Sequence, residues 1–489
     1  MNSHGKLYQG SLALLTDLYQ LTMAYGYWKT GSMEKEACFH LYFRKNPFEG
    51  GYAVAAGLGT VIEYLESFRF EEGDLQYLKE LKGADGEVLF EKGFLDYLRD
   101  FKLAVDIDAI PEGTPVFAYE PLLRVTGPIL HCQLLETALL NQINFQTLIA
   151  TKAARVCQAA AGDDVIEFGL RRAHGVDGGV SASRAAYIGG CNGTSNVLAG
   201  RLYGIPVRGT HAHSWVVSYP TEIEAFRKYA EALPNNCVFL VDTYETKNGV
   251  RNAVLAGKIL KEKGQRLLGV RLDSGDLAYL SQEARKILDE GGFPDAKVLA
   301  SNDLDEYIIT SLKQQGAAIS VWGVGTRLVT AFDQPALGGV YKLSAVREKG
   351  KGWEHRIKVS EQTAKTTTPG IHQVRRYEAN GNYLGDSIYD AEKGMAPEQR
   401  LIVDPLDATR KKKFPDEATF TDLLIPIMKQ GELVYQSPDL RTIREHTKQL
   451  VAKIHPTTRR FLNPHSYPVG LDPRLSDLRT SLILKARGM

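Results

Sequence analysis

The 489-residue sequence is short of the features that mark several large protein classes. It has 5 cysteines (Cys38, Cys132, Cys157, Cys191 and Cys237), scattered, odd in number and never in a C-x-x-C pair. That argues against a disulfide framework or a structural zinc site and points to a reducing, cytoplasmic compartment. Long apolar runs are missing: the patch Leu12–Leu15 is interrupted by Thr16 and Asp17, and no basic stretch precedes it. It reads as neither a secretion signal nor a membrane span. The formal net charge is only +1, so no bulk attraction to nucleic acid or to an anionic membrane is expected, and any anion must be held by local groups. Low-complexity tracts and short repeats are absent, as are H-E-x-x-H, the P-loop pattern G-x-x-x-x-G-K-[ST], and a G-x-S-x-G nucleophile elbow at a strand–helix turn. What remains is an ordinary globular composition, 44% hydrophobic and 24% charged, long enough for two or three domains.

The pattern along the chain changes twice. Residues 1–130 mix a helix over Asp17–Tyr27 (Leu18, Leu21 and Tyr25 on one face, Thr16 or Asp17 as cap) with a strand over Ala37–Phe43. Pro111, Pro115, Pro121 and Pro128 then punctuate short strands, which together predict an α+β N-terminal domain. From 131 to 345 a long helical stretch over 132–160 is followed by recurring apolar runs that end in polar residues or glycine. These are Val165–Gly169, Ile205–Thr210, Val238–Thr243, Leu267–Asp273, Val298–Asp303 and Ile319–Thr326, with helix-like segments such as 247–263 and 276–290 between them. Strand and helix alternating about every 30 residues predict βα units on a parallel sheet. Six such units favour a (β/α) barrel, with the open sheet left as the alternative. Residues 346–489 are charged and turn-rich, and are expected to pack on both preceding domains. Within them the basic run Lys411–Phe414 reads as a solvated loop and Leu423–Ile427 as one more strand.

In a barrel the C-terminal strand ends form the site. Here those ends carry Arg171, Thr210, His213, Asp242, Arg271, Asp273, Asn302, Asp303 and Thr326. In VRLDSGDLAYLS, Arg271 and Asp273 stand two apart on a strand and share a face. Two readings stay open: a structural ion pair followed by a helix cap, or a sugar-and-anion site in which Asp273 takes ribose hydroxyls or Mg²⁺ and Arg271 takes a carboxylate. In VWGVGTRLVT, Gly323, Gly325 and Thr326 make either a plain βα turn or a phosphate cradle. In EFGLRRAHGVDGG, Arg171 can reach an anion bidentately, Arg172 reads as surface and His174 as a loop residue. GTHAHSW sets His211 and His213 one residue apart in a chain with only 11 histidines.

Ten segments in fixed order carry a resemblance over most of the chain: LLTDLYQLTMAYGYW (14–28), FRKNPFEGGYAVAAGL (43–58), EFGLRRAHGVDGG (167–179), SNVLAG (195–200), GTHAHSW (209–215), VDTYET (241–246), GVRLDSGDL (269–277), SND (301–303), GVGTRLVT (323–330) and ALGGVYKL (336–343). The sequence resembles the nicotinate phosphoribosyltransferase family. That resemblance implies an α/β fold, an N-terminal α+β domain plus an incomplete (β/α) barrel of the type II phosphoribosyltransferase kind. It implies a ligase that joins nicotinate to phosphoribosyl pyrophosphate, with ATP and Mg²⁺, giving nicotinate mononucleotide and pyrophosphate at the entry to NAD salvage. ATP hydrolysis is coupled through a phosphohistidine, which the family pattern G-T-x-A-H-S places at His213; His211 falls on the free position and is expected to be a bystander or a weak partner. The resemblance further implies that Arg271 binds the nicotinate carboxylate with Thr210 beside the base. Arg171 and Thr326 would contact the sugar phosphate or base, and Asp273, Gly323 and Gly325 the ribose and 5′-phosphate. Tyr19 is implied to stack on the pyridine ring from a partner subunit, which makes a homodimer with shared active sites. Zinc-binding cysteines found in the C-terminal extension of some members have no counterpart after Cys237, so no metal ligand is assigned. The competing readings are a nicotinamide- or quinolinate-using transferase on the same fold, and a non-catalytic sensor of NAD precursors.

Overall fold

The computed structural model describes residues 10–395 and 400–489. These form two compact units: one from the described residues within Met1–Thr147, Ala336–Asp439 and Gln449–Met489, the other from Leu148–Pro335 and Leu440–Lys448.

The second unit is a parallel sheet of six strands, in the order Gly193–Thr194, Asp164–Glu167, Val321–Val324, Lys297–Ala300, Gly269–Leu272 and Val238–Leu240. The central strands are short, β-branched and buried, as expected of strands covered on both faces. Helices return the chain between them. Thr246–Glu262 buries Val250, Ala253, Val254, Gly257 and Leu260, a spacing of three and four that makes one apolar face. Its first turn is closed by Glu245, whose carboxylate accepts from the backbone N–H groups of Lys247 (3.1 Å) and Asn248 (2.7 Å). Gly249 has no room for a side chain, since a Cβ there would stand 2.0 Å from the carbonyl oxygen of Val241. Leu277–Glu290 starts at Asp276, which accepts from the N–H of Tyr279.

The incomplete barrel expected from the sequence is the observed architecture, but one of its strands is different. Ile205–Thr210 forms no strand; its only ladder contact is a single bridge from Val207 to Thr194. The short strand Gly193–Thr194 takes the place beside Asp164–Glu167. Pro206 accounts for part of this, because it has no N–H for a ladder.

The first unit holds a seven-stranded sheet and a six-stranded one. The helix predicted over Asp17–Tyr27 is Leu18–Lys29, and the strand predicted over Ala37–Phe43 is Glu36–Tyr42. The helical stretch 132–160 is two helices, Ile129–Leu134 and Glu136–Ala160. Lys411–Phe414 is not a solvated loop. Lys411–Lys413 is an edge strand paired with Leu401–Val403, Lys412 donates to the carbonyl of Leu384 (2.7 Å), and Phe414 is buried against Tyr377 with ring centres 4.2 Å apart. Strand alternation explains the basic run: Lys411 and Lys413 face water while the stem of Lys412 lies along the sheet. The strand expected over Leu423–Ile427 is Ile425–Lys429.

Candidate active site

The ends of two neighbouring strands, Val238–Leu240 and Gly269–Leu272, meet beside His213. Its backbone opens the short helix His213–Val217, and its ring stays 44% exposed. Nδ1 lies 3.0 Å from the Thr243 hydroxyl, and Nε2 lies 3.9 Å from Oδ1 of Asp242. The Asp242 side chain is 1% exposed. Its Oδ2 accepts from the N–H of Asp273 (2.8 Å) and from the hydroxyl of Ser274 (2.6 Å), while Oδ1 is buried without a hydrogen-bond partner. One carboxylate thus fixes the turn after the Gly269–Leu272 strand and leaves its other oxygen facing the imidazole. Gly275, at φ +78°, completes that turn before the helix begins.

Arg271 stands on the strand Gly269–Leu272, largely buried. One guanidinium nitrogen, Nη2, donates to the carbonyl oxygen of His211 at 3.1 Å, and Nε has no partner. Burial is the main influence on its pKa and pulls it below the ordinary value; Asp273 and Asp242 oppose that, and Arg171 adds to it. Among the described residues Arg271 forms no ion pair, so the strand-end reading as an Arg271–Asp273 salt bridge is not what the fold builds. Asp273 instead accepts from the hydroxyl of buried Ser301, on the next strand end.

Arg171 lies in a single turn of 3₁₀ helix, Leu170–Arg172, exposed and close enough to act on Arg271 electrostatically. That turn is anchored by Glu167, fully buried, whose carboxylate accepts from the N–H of Gly169 and the hydroxyls of Ser183 (2.8 Å) and Thr194 (2.5 Å). Asn302 (φ +102°) and Asp303 (φ +43°) hold left-handed backbone at the end of the Lys297–Ala300 strand, strain of a kind that gathers at functional sites. Thr210 is half-buried, with its hydroxyl 3.4 Å from the His211 carbonyl. Gly325 and half-buried Thr326 open the turn after the Val321–Val324 strand. Gly323 is different: it is buried inside that strand, where a Cβ would meet the Phe168 ring at 2.6 Å. Packing against Phe168 is by itself reason enough for that glycine.

Tyr19 belongs to the first unit, on Leu18–Lys29, and is 48% exposed beside exposed Leu15, Leu18 and Met23. His211, the expected bystander, is 8% exposed, and its ring nitrogens lie within hydrogen-bond reach of Leu240 N–H and the Ala212 carbonyl. Sequence reasoning placed Asp242 in the polar ring and Ser301 in the SND stretch without giving either a role, and left out Thr243 and Glu167. The signal for Asp242 was its position directly after the apolar run Val238–Val241.

Family models match nearly the whole chain: the nicotinate phosphoribosyltransferase N-terminal domain over residues 14–144, the family model itself over 164–386 and the C-terminal domain over 372–479. A nicotinate phosphoribosyltransferase of Bacillus subtilis is 48% identical, the match covering 94% of this chain and 93% of that one. The human enzyme of the same name is 36% identical, with 96% of each chain covered. The crystal structure of human nicotinic acid phosphoribosyltransferase superposes with a TM-score of 0.83 at 34% identity, over 96% of this chain and 99% of that one. A nicotinate-nucleotide pyrophosphorylase from Pyrococcus furiosus, at 24% identity and a TM-score of 0.66 over 91% and 96%, shares the fold. With the strand-end ring of His213, Arg271 and Asp273 set on this frame, the chain belongs to the nicotinate phosphoribosyltransferase family.

Proposed function

We propose that this chain transfers phosphoribose from phosphoribosyl pyrophosphate to nicotinate, coupled to ATP, and that the residues of the second unit's strand ends carry out the reaction. The observation that carries the assignment to nicotinate is Arg271: a desolvated guanidinium with Nε unpartnered and no carboxylate of its own. A buried cation left in this state is costly, and a planar carboxylate presented to its open edge relieves that cost. An amide cannot do so equally well. Thr210 then lies beside the base, Arg171 and Thr326 take the sugar phosphate or base, and Asp273 and Gly325 take the ribose and 5′-phosphate.

The pyridine nitrogen attacks C1 of the ribose with its own lone pair while pyrophosphate departs, through an oxocarbenium-like transition state. No side chain has to remove a proton. The protein positions the two reactants, keeps water out and meets the departing charge with fixed donors. ATP enters through His213. Nδ1 lies 3.0 Å from the Thr243 hydroxyl; in the tautomer that carries its proton there, Nε2 has the lone pair that attacks the γ-phosphorus, an N–P bond forms, the P–O bond to ADP breaks, and hydrolysis of the phosphoimidazole later returns the ring.

The donor set suits Mg²⁺. The orphaned Oδ1 of Asp242, with Asp273 nearby, offers hard carboxylate oxygens. An ion held by one or two carboxylates plus substrate phosphates needs no larger protein cage. When bound, Mg²⁺ supplies charge neutralisation at the phosphates.

The exposed apolar stripe of Leu15, Leu18, Tyr19 and Met23 supports a homodimer in which Tyr19 reaches a partner's pyridine ring. Five unpaired thiols support a cytoplasmic setting, and among the described residues no helix is long and apolar enough to cross a membrane. Turnover of purified protein with nicotinate, phosphoribosyl pyrophosphate, ATP and Mg²⁺ tests the reading. Nicotinate mononucleotide formed with ATP stimulation is expected; nicotinamide or quinolinate consumed in preference, or no turnover, contradicts it.

A further inference from the structure

The barrel has a seam. Its sheet begins at Gly193–Thr194, which Val207 bridges, and ends at Val238–Leu240, so the segment 207–212 and the last strand face each other without a backbone ladder. The Leu240 N–H is on the open edge: the pairing of Val238–Leu240 with Gly269–Leu272 is satisfied on the other side, where the N–H of Val241 reaches the Arg271 carbonyl and that of Leu268 the Cys237 carbonyl. Two side chains span the gap. Asn236 donates through Nδ2 to the Gly209 carbonyl at 3.2 Å, and Nε2 of His211 accepts from the Leu240 N–H at 3.3 Å.

The second contact fixes the state of the imidazole. An Nε2 that accepts must be bare, so the proton of the neutral ring sits on Nδ1, which lies 3.3 Å from the Ala212 carbonyl and donates to it. The ring is wedged among Tyr229, Phe226 and Phe239, with ring centres 4.9, 6.0 and 6.3 Å away, so it is held in place and kept dry. The same residue's carbonyl accepts from Nη2 of Arg271 (3.1 Å). Two residues further on stands His213. A single residue therefore ties the loop to the last strand with its ring, orients the base-binding guanidinium with its backbone, and sets the start of the phosphoryl-accepting segment.

We propose that His211 is a positioning residue, its imidazole standing in for the strand the barrel lacks and thereby aligning Arg271 with His213. This rests on the reading of Arg271 and His213 given above and assigns a task to a histidine that motif matching leaves idle. An apolar side chain at 211 would fill the aromatic wedge but strand the Leu240 N–H in a dry seam.

The test compares the wild-type enzyme with His211→Leu and His211→Gln. An amide oxygen can accept from Leu240; a leucine cannot. In His211→Leu, kcat/KM for nicotinate is expected to fall roughly 5- to 100-fold, mostly through KM, as for an unpaired buried donor. ATP-derived phosphoryl label on His213 is expected to drop with it, and His211→Gln to recover most of both. Leucine with wild-type kcat/KM, or glutamine no better than leucine, overturns the proposal. Nitrogen-15 NMR of histidine-labelled wild-type protein decides the matter even where a variant does not fold. A bare, hydrogen-bonded Nε2 with protonated Nδ1 is expected at neutral pH; the opposite tautomer or a charged ring refutes it. Wild-type protein without nicotinate turnover would sink the functional reading instead, and the tautomer measurement would still decide the seam.

Discussion

A guanidinium buried at the end of the Gly269–Leu272 strand with Nε unpaired has lost water without gaining an anion. In the proposed function that imbalance sets substrate choice at the residue scale. Removing one partner of a buried, desolvated ion pair costs roughly 3–5 kcal/mol, on the order of 10² to 10³ in kcat/KM. Arg271→Met is therefore expected to lower nicotinate kcat/KM by about that factor and to erase the preference for nicotinate over nicotinamide; steady-state kinetics with both bases checks it, and an unchanged ratio counts against the assignment. The place of Arg271 and Asp273 at a strand end, with His213 close by, was legible because each follows an apolar run or sits in a long ordered motif. The two tasks of Asp242 were not. One of its oxygens holds the N–H of Asp273, on the neighbouring strand end, and that division depends on strands brought side by side by parallel register. Gly323 has a second reason that the sequence hides: G-x-G-T after an apolar run fits an anion cradle, and only the packed Phe168 ring shows that the first glycine is also a spacing requirement.

At the scale of elements, the βα rhythm was readable because apolar strands and amphipathic helices carry different periods. Boundaries moved by one to a few residues, and the exceptions were physical. Ile205–Thr210 has the apolar start of a strand, but it contains Pro206 and faces a seam where side chains replace a ladder. Lys411–Lys413 has the composition of a loop, yet edge strands tolerate lysine well and use it to discourage pairing with other chains. Helix starts are worth testing directly. Glu245 satisfies two free N–H groups at the head of Thr246–Glu262, so Glu245→Ala is expected to destabilise the second unit by about 0.5–2 kcal/mol in urea unfolding. No change in the midpoint would show that water caps the helix as well.

For the whole molecule, acid sensitivity follows from groups far apart in the sequence, and so does the proposed assembly. Burial lowers His131, His211 and His372 to about 4, and it holds His40 well below 6.5, with His372 and Arg124 adding to the shift. Each is kept neutral in the fold and protonates more readily when unfolded, so its contribution is complete above the ordinary histidine value and is lost as pH falls from about 6.5 toward 4. Melting temperature measured across that window is expected to fall steadily; a flat or rising profile contradicts the buried-neutral assignment. The proposed sharing of active sites between subunits makes a second expectation. An inactive Tyr19→Ala protein mixed with an inactive His213→Asn protein should regain part of the wild-type activity on subunit exchange, whereas sites complete within one chain would give none. The account as a whole depends on His213 taking the γ-phosphoryl group of ATP. The most direct measurement is mass spectrometry of the protein after incubation with γ-labelled ATP and Mg²⁺. The account predicts an acid-labile phosphoryl group on the peptide bearing His213, discharged when nicotinate and phosphoribosyl pyrophosphate are added; an unmodified His213 under conditions where ATP stimulates turnover would contradict it.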